Sequence, residues 1–225
     1  MTRLPRPAPS VPAARRRTFQ RRLLAWYRRH RRDLPWRRTR DPYHILVSEI
    51  MLQQTQVDRV VPKYAEWLAK YPSLESLAQA TLREVREAWS PLGYNIRPVR
   101  LREIARAALR RHEGRIPDTR EALLAMKGIG PYTAGAVLSF AYRKHAAILD
   151  TNVRRVLRRV FLGDRATPTD GDLWALSEAL LPSGQVYDFN QALMDLGATV
   201  CTARRPRCAA CPLTRVCASY PLIRA

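Results

Sequence analysis

Cysteine, glycine and acidic residues are all scarce in this sequence. Of its 225 residues, four are cysteine, nine are glycine and 19 are acidic, against 40 that are basic. All four cysteines lie within residues 201–217, whereas a secreted disulfide framework would spread them along the chain. The chain also lacks an apolar run of roughly 18 residues, the length of a membrane span, and an apolar signal core at its N-terminus. These absences predict a soluble, cytoplasmic protein.

The excess of basic residues predicts a polyanionic partner. The formal net charge is +21 and the isoelectric point is about 11.1. Such a charge is typical of nucleic-acid binding. Because nearly all of the basic residues are arginine, a compositional bias toward arginine would raise the charge without any function. The charge therefore favours nucleic-acid binding without establishing it.

Hydrophobic periodicity predicts an all-α protein. Residues 1–17 are rich in proline and arginine, lack apolar periodicity and are expected to form a disordered arm. A first helix is expected from Thr18 and a second near Asp41, an N-cap residue followed by proline. Alternating runs long enough for a strand are absent, and a chain of 225 residues can bury one sizeable core or two small lobes. Further helical patterns cover residues 57–70, 74–80, 82–89, 96–112, 119–126, 132–142, 152–162, 170–181 and 187–198.

Residues 124–152 contain the pattern that is most indicative of function. One helix ends at a tight turn that contains Gly128 and Gly130. A second helix begins at Pro131, where the missing backbone N–H costs nothing. Glycines let the backbone approach a ligand closely, and the N–H groups of a helix N-terminus attract an anion such as a nucleic-acid phosphate. An ordinary turn between two helices has the same pattern. Asp150 follows after a short helix, just before an apolar-periodic run, which favours a hairpin that holds DNA and a carboxylate that faces it.

The segment from Met126 to Ala134, together with Asp150, resembles the signature of the helix-hairpin-helix (HhH-GPD) DNA glycosylases. That signature has a Gly/Pro-rich loop and a catalytic aspartate. The resemblance implies a two-lobed helical fold with the active-site cleft between the lobes. The lobes would be residues 41–148, containing the hairpin at about 119–142, and residues 18–40 joined with 149–225.

Glu49 lies on the apolar face of its predicted helix, four residues after Ile45 and three before Leu52. A carboxyl group in this position is partly desolvated, which raises its pKa and keeps a proton available near neutral pH, as a general acid requires. The alternative is a structural glutamate that pairs with one of the many arginines. Ten consecutive residues from Ser48, SEIMLQQTQV, closely resemble the matching segment of MutY-type adenine glycosylases. This resemblance implies that Glu49 is the catalytic acid.

Excision of a base requires a second carboxyl group. Adenine is a poor leaving group until a ring nitrogen is protonated, and its departure leaves an oxocarbenium-like sugar that an ionised carboxylate stabilises. Asp150 at a helix N-terminus is favoured as that anion, and a simple N-cap role is compatible with catalysis. Tyr132 occupies the position of the Schiff-base lysine of related bifunctional enzymes, which implies a monofunctional enzyme. The motif places Lys127 in the phosphate-binding turn with Gly128 and Gly130.

A base is hydrolysed only after it leaves the stack, so the enzyme must also contact the opened duplex. The resemblance assigns several other residues to these contacts. The polar residues Gln53, Gln54 and Thr55 are expected at a helix end, where they can bond the edge of an orphaned base. By resemblance, Gln54 and Thr55 insert beside the opposite base, and Leu92 and Tyr94 wedge nearby. Each of these could instead belong to an ordinary turn or to the core.

The same resemblance assigns Trp36, Arg37 and Gln191 to the base pocket. Trp36 could equally be a core residue, and Gln191 could equally be a solvent-facing helix residue. Asn95 departs from the pattern of the adenine enzymes, in which a second aromatic residue often follows the tyrosine. This departure weakens the assignment of adenine as the substrate base.

The four cysteines form a C-x6-C-x2-C-x5-C pattern: Cys201, Cys208, Cys211 and Cys217. Four thiolates in so short a segment suit either a tetrahedral metal ion or an iron–sulfur cluster. Structural zinc usually draws on two close pairs, and only one pair is close here. The spacing strongly resembles the 4Fe-4S loop of endonuclease III and MutY-type enzymes, which implies a 4Fe-4S cluster that shapes the basic loop 204–207 for phosphate contact. Zinc and disulfides are the alternatives.

The resemblance as a whole implies a monofunctional DNA glycosylase of base excision repair. It would remove adenine mispaired with 8-oxoguanine or guanine, and act as a monomer on double-stranded DNA at the nucleoid. MutY-type enzymes carry a second, C-terminal domain, and this chain ends eight residues after Cys217, so a catalytic domain without that addition is expected. The main alternative is a thymine or uracil glycosylase for T·G and U·G mismatches. A non-catalytic DNA-binding protein of the same fold is the second.

Overall fold

The computed structural model describes residues 11–164 and 166–220, and every regular element among them is helical. The prediction of an all-α fold is therefore confirmed. The helices are α1 (Ala13–His30), α2 (Pro42–Leu52), α3 (Val57–Lys70), α4 (Leu74–Gln79), α5 (Leu82–Trp89), α6 (Ile96–Arg111), α7 (Arg120–Leu124), α8 (Pro131–Phe140), α9 (Thr151–Leu157), α10 (Asp170–Ala179) and α11 (Val186–Thr199). A π-helical turn (Arg158–Leu162) continues α9, and 3₁₀ turns lie at Pro35–Arg37, Cys208–Ala210 and Thr214–Val216. No helix in the described ranges is both long and apolar enough to cross a membrane.

The first helix begins earlier than the sequence predicts. The expectation of a disordered arm up to residue 17 is wrong for residues 13–17, which form the first turns of α1. The guanidinium group of Arg15 donates hydrogen bonds to the carbonyls of Val160, at 2.7 Å, and Val216, at 2.9 Å. These long-range hydrogen bonds stabilise the helical conformation of this arginine-rich segment. Residues 11 and 12 precede the helix, and residues 1–10 of the predicted arm lie outside the described residues.

Local capping explains where several helices begin. Asp41 accepts hydrogen bonds from the backbone N–H groups of Tyr43, at 2.7 Å, and His44, at 3.1 Å, and Pro42 opens α2. Thr81 begins α5 with a capping box, and Thr169 does the same for α10. The predicted cap of α2 is therefore confirmed.

The chain divides into two compact units. The hairpin unit spans Asp33–Lys144, and the cysteine unit joins Met1–Arg32 with His145–Ala225. These boundaries differ from the expected lobes at both ends. Trp36 belongs to the hairpin unit because its ring packs edge-on against Tyr64, with 5.5 Å between the ring centroids.

Each unit has its own core. In the hairpin unit, α2 packs against α3, α6 and α8, and the largest fully buried side chains include Trp67 and Trp89. In the cysteine unit, α11 packs against α1 and α9. The ring of Phe19 there meets Phe161, with the ring centroids 4.9 Å apart, and Phe189, at 5.9 Å.

Candidate active site

Glu49 is buried within the hairpin unit, as its place on the apolar face of α2 predicts. Its side chain is 3% exposed. The hydroxyl of Tyr132, in the first turn of α8, donates a hydrogen bond of 2.7 Å to Oε2 of Glu49. The packing of α2 against α8 therefore joins the predicted acid to the residue that occupies the lysine position of bifunctional relatives.

The hairpin turn between α7 and α8 has one glycine that its backbone requires. Gly128 adopts φ +106°, and a Cβ there would lie 3.2 Å from the side chain of Arg100. Gly130 has φ −95°, and a Cβ there would meet nothing within 4 Å, so its conformation does not demand glycine. Pro131 opens α8, whose first N–H groups have no intrahelical acceptor and suit an anion. Lys127 is exposed in the same turn.

Asp150 begins α9 in the cysteine unit and accepts two hydrogen bonds. Its Oδ1 accepts from the backbone N–H of Val153, at 2.6 Å, and its Oδ2 accepts from Nδ2 of Asn152, at 3.0 Å. The N-cap role considered for Asp150 is confirmed. Both contacts donate hydrogen bonds to the carboxylate and hold it in one orientation.

Sequence reasoning missed the residues that hold Asn152. The guanidinium group of Arg155 donates to Oδ1 of Asn152, at 2.7 Å, to the carbonyl of Gly197, at 2.8 Å, and to the carbonyl of Cys201, at 2.7 Å. A Cβ on Gly197 would lie only 2.6 Å from Cβ of Asn152, so α11 approaches α9 closely at this point. Arg155 thus links the start of α9 to Cys201, the first residue of the cysteine segment (residues 201–217).

Two further segments lie in the hairpin unit: the polar turn (residues 53–55) and the tyrosine loop (residues 92–94). Gln53 ends α2, as predicted, and Gln54 is exposed with φ 55°. Tyr94 is 61% exposed, with φ 49°, and its contact with DNA stays a prediction. Leu92 is only 4% exposed and is part of the core here, and its role as a wedge beside the opposite base stays a prediction. Sequence reasoning also missed Arg97, whose guanidinium group contacts both segments.

The three residues assigned to the base pocket are divided between the units. Trp36 is 6% exposed in the hairpin unit, where it is part of the core, and Arg37 follows it in a 3₁₀ turn. Gln191 is 4% exposed on α11 in the cysteine unit. The alternative of a solvent-facing glutamine is therefore wrong, and the contact of these residues with a base stays a prediction.

The four cysteines have free thiols and line one pocket in the cysteine unit. The other side chains that line this pocket are largely apolar. Burial raises the pKa of the Cys211 thiol to about 11. No three side chains in the described parts of the chain are placed to hold a single metal ion.

Arg159 holds the cysteine segment against the π-helical turn. Its buried guanidinium group donates to the carbonyls of Thr202, at 2.8 Å, and Ala203, at 3.1 Å, and reaches Sγ of Cys201 at 3.7 Å. The backbone N–H of Leu213 donates to Sγ of Cys211 at 3.4 Å. Donors directed at sulfur, four free thiols and an apolar pocket fit a cluster with thiolate ligands.

Three curated relatives align with nearly the whole chain. The adenine DNA glycosylase of Mycobacterium tuberculosis is 46% identical over 211 residues, which cover 92% of this chain and 69% of that protein. The adenine DNA glycosylase of Mus musculus is 44% identical over 218 residues, 92% of this chain but 42% of that protein. The thymine/uracil-DNA glycosylase of Methanothermobacter thermautotrophicus is 37% identical over 209 residues, 92% of this chain and 95% of that protein. The chain thus spans less than half the length of the mouse protein.

Solved structures have the same fold. A thermostable thymine-DNA glycosylase superposes with a TM-score of 0.86 at 36% identity, covering 92% of this chain and 97% of that one. Endonuclease III trapped as a covalent intermediate on DNA superposes with a TM-score of 0.81 at 20% identity, covering 93% and 97%, and shows the fold alone. The family model of HhH-GPD superfamily base excision DNA repair proteins matches residues 47–182. The chain therefore belongs to the HhH-GPD superfamily of base excision DNA repair proteins.

Proposed function

We propose that this chain is a monofunctional DNA glycosylase that hydrolyses adenine from double-stranded DNA where it is mispaired with 8-oxoguanine or guanine. The observation that carries the proposal is the buried Glu49 carboxyl with the Tyr132 hydroxyl on its Oε2. A carboxyl group held in this way, next to the helix-hairpin-helix turn, is what protonation of an extruded base requires. The relatives named adenine DNA glycosylase support the choice of base.

Two carboxyl groups take part in the proposed reaction. Glu49 donates a proton to a ring nitrogen of adenine, and the N-glycosidic bond breaks with its electron pair going to the base. Asp150, ionised, stabilises the oxocarbenium-like sugar that remains. Water then adds to the sugar carbon, and its proton returns to the Glu49 carboxylate. The hydrogen bonds from Val153 and Asn152 hold the Asp150 carboxylate in one orientation for this step.

Tyr132 accounts for the proposed monofunctional chemistry. A bifunctional glycosylase needs an amine at the hairpin to form a Schiff base with the sugar. The Tyr132 side chain carries a phenol instead of an amine, and its hydroxyl donates a hydrogen bond to Glu49. Water is therefore the nucleophile, and the product is an intact strand with an abasic site.

We also propose that the four cysteines hold a 4Fe-4S cluster, which supplies a covalent cross-link within the cysteine segment. The ligands are Cys201, Cys208, Cys211 and Cys217. The chain itself contributes Arg159, which holds the carbonyls of residues 202 and 203, and the exposed Arg204, Arg205 and Arg207, which suit phosphate contact.

Excision of thymine or uracil from T·G and U·G mismatches is the second candidate. The observation that favours it is the extent of similarity to the archaeal thymine/uracil-DNA glycosylase, of whose length this chain covers 95% at 37% identity. The thymine-DNA glycosylase structure superposes equally fully, with a TM-score of 0.86.

The deciding experiment is single-turnover base release from end-labelled duplexes with A·8-oxoG, A·G, T·G or U·G, each analysed with and without alkali. Strand cleavage at A that depends on alkali supports the proposal. Cleavage only at T or U assigns the chain to the second candidate. Tight binding to every mismatch without base release would indicate a non-catalytic DNA-binding protein instead.

A further inference from the structure

Arg97 is a buried arginine that joins the polar turn (residues 53–55) to the tyrosine loop (residues 92–94). It is 4% exposed and is the second residue of α6. Its two terminal nitrogens donate to six oxygens, and all of these oxygens are electrically neutral. A cation close to a helix N-terminus is disfavoured by the helix dipole. The position is therefore explained by what the guanidinium group binds and not by α6 itself.

The first set of acceptors belongs to the C-terminal end of α2. Nη1 donates to the carbonyls of Ile50, at 3.2 Å, and Met51, at 3.0 Å, and also to the carbonyl of Gln53. The last carbonyls of a helix lack intrahelical partners, and a cation there is favourable. Arg97 thus caps the C-terminal end of α2, and one of its acceptors, Ile50, directly follows Glu49 in the chain.

The second set of acceptors belongs to the two segments themselves. Both terminal nitrogens lie 3.1 Å from Oγ1 of Thr55, which in turn donates to the carbonyl of Gln53 at 3.2 Å. Nη2 also donates to the carbonyls of Leu92, at 3.2 Å, and Gly93, at 3.1 Å. One planar group therefore fixes the turn on both sides of position 54 and the backbone that precedes position 94.

Aromatic contacts complete the arrangement. The central guanidinium carbon lies 5.2 Å from the ring centroid of Trp89 and 5.3 Å from that of Tyr94. Nε1 of Trp89 donates to the carbonyl of Gly93 at 3.0 Å. Tyr94 and Gln54, both exposed and both with positive φ, are the tips that this framework presents. Positive φ is costly for residues other than glycine, so both tips need support from elsewhere.

We propose that Arg97 is a positioning residue, which holds the polar turn and the tyrosine loop as one rigid element that opens the duplex around the base opposite the excised one. The proposal rests on the proposed function for the nature of the substrate. Arg97 has no part in breaking the glycosidic bond. It acts through Gln54 and Tyr94, and it sets how fast and how completely the stack is opened once DNA is bound.

The test uses a fluorescent probe of unstacking in full-length protein. 2-Aminopurine is placed next to the guanine opposite the target base in A·G and T·G duplexes, and Glu49→Gln is present in every protein so that the substrate persists. We expect Arg97→Lys, which keeps the charge but loses the planar fork, to slow probe unstacking by about tenfold or more. DNA affinity should stay within about threefold, since the charge is retained.

The matched control is Arg102→Lys. Arg102 is also buried on α6 and donates to the carbonyl of Ala80 at the end of α4, away from both segments. Arg102→Lys should lower the melting temperature about as much as Arg97→Lys does. It should nevertheless unstack the probe as fast as the parent protein, which carries Glu49→Gln alone. If Arg97→Lys unstacks the probe as fast as the parent, or if both variants slow equally, the proposal is overturned.

A second pair of variants covers the case in which Arg97→Lys does not fold. Thr55→Val keeps the shape of the turn but removes the hydroxyl that both terminal nitrogens bind, and it should slow unstacking several-fold. Tyr94→Ala should slow it with little loss of stability, because the ring is 61% exposed. Normal unstacking by Thr55→Val would contradict the proposal. Probe unstacking does not depend on base release, so a wild-type protein that opens DNA without excising adenine would refute the proposed function and leave this inference standing.

Discussion

The Tyr132 hydroxyl donates a hydrogen bond to Oε2 of Glu49 at 2.7 Å, although 83 residues separate the two in the chain. The bond links the first turn of α8, the second helix of the hairpin, to the buried face of α2. A general acid must be aimed as well as protonated, because small errors of placement cost large factors in rate. Tyr132 therefore connects the hairpin to the orientation of the proposed acid.

Replacement of Tyr132 by phenylalanine removes the hydroxyl that donates this bond. We expect base release to fall by about tenfold or more, with a loss of about 1 kcal/mol in the free energy of unfolding. Tyr142→Phe is the control, since the Tyr142 hydroxyl donates to the carbonyl of Ile116 in the same unit. Single-turnover base release and thermal unfolding measure both effects. Equal rates of base release for the two variants would show that the Tyr132 hydroxyl has no role in the active site.

Wild-type protein should also fail to form a borohydride-trapped adduct with substrate DNA, because the hairpin tyrosine offers no amine. Strand cleavage without alkali by the purified protein would contradict the monofunctional assignment.

Glu49→Gln should lower base release by about a hundredfold or more while the protein stays folded, as expected for loss of a general acid. Unchanged base release by that variant would exclude Glu49 as the acid.

Two substitutions at Asp150 separate its capping role from its proposed catalytic role. Asp150→Asn keeps an oxygen that can accept from the Val153 N–H, so stability should change little while base release is lost. Asp150→Ala should lose both base release and about 1 kcal/mol of stability. Thr169→Ala, which removes the cap of α10 in the same unit, is the control and should lose stability alone. If Asp150→Asn retains wild-type base release, Asp150 is a cap and nothing more.

Gly197→Ala tests the close approach of α11 to the start of α9. Its Cβ would lie 2.6 Å from Cβ of Asn152, so the two helices must separate. We expect a loss of about 1–3 kcal/mol in unfolding free energy and a fall in base release, because Asn152 holds Asp150. Gly171→Ala is the matched control, since its Cβ would meet only Oγ1 of Thr169 at 3.7 Å and alanine favours a helix. Similar melting temperatures for the two variants would contradict the tight packing.

Metal analysis tests the cysteine assignment. Anaerobically purified protein should contain about four iron and four sulfide per chain, as a 4Fe-4S cluster requires. Removal of the iron should lower the melting temperature, because the segment that Arg159 holds would lose its cross-link. Cys211→Ser should lower both the iron content and the melting temperature. Zinc in place of iron, or disulfides in the native protein, would overturn the cluster.

Much of this molecule follows from local sequence patterns. The helices follow from apolar periodicity, and Asp41 and Asp150 mark helix starts because a carboxylate side chain can bond the first free N–H groups. The burial of Glu49 follows from its spacing on α2, since side chains three and four residues apart share one helix face. These features depend on residues within one or two helical turns, so the sequence by itself determined them.

The tertiary structure decided which distant residues meet. The Tyr132–Glu49 bond, the seating of Arg97 and the hold of Arg155 on Asn152 all join separate helices. Periodicity did not predict that Arg97 turns inward, because an arginine is usually solvated and becomes buried only where several carbonyls converge. The start of α1 was likewise predicted too late, because the long-range hydrogen bonds of Arg15, and not local preference, stabilise its first turns.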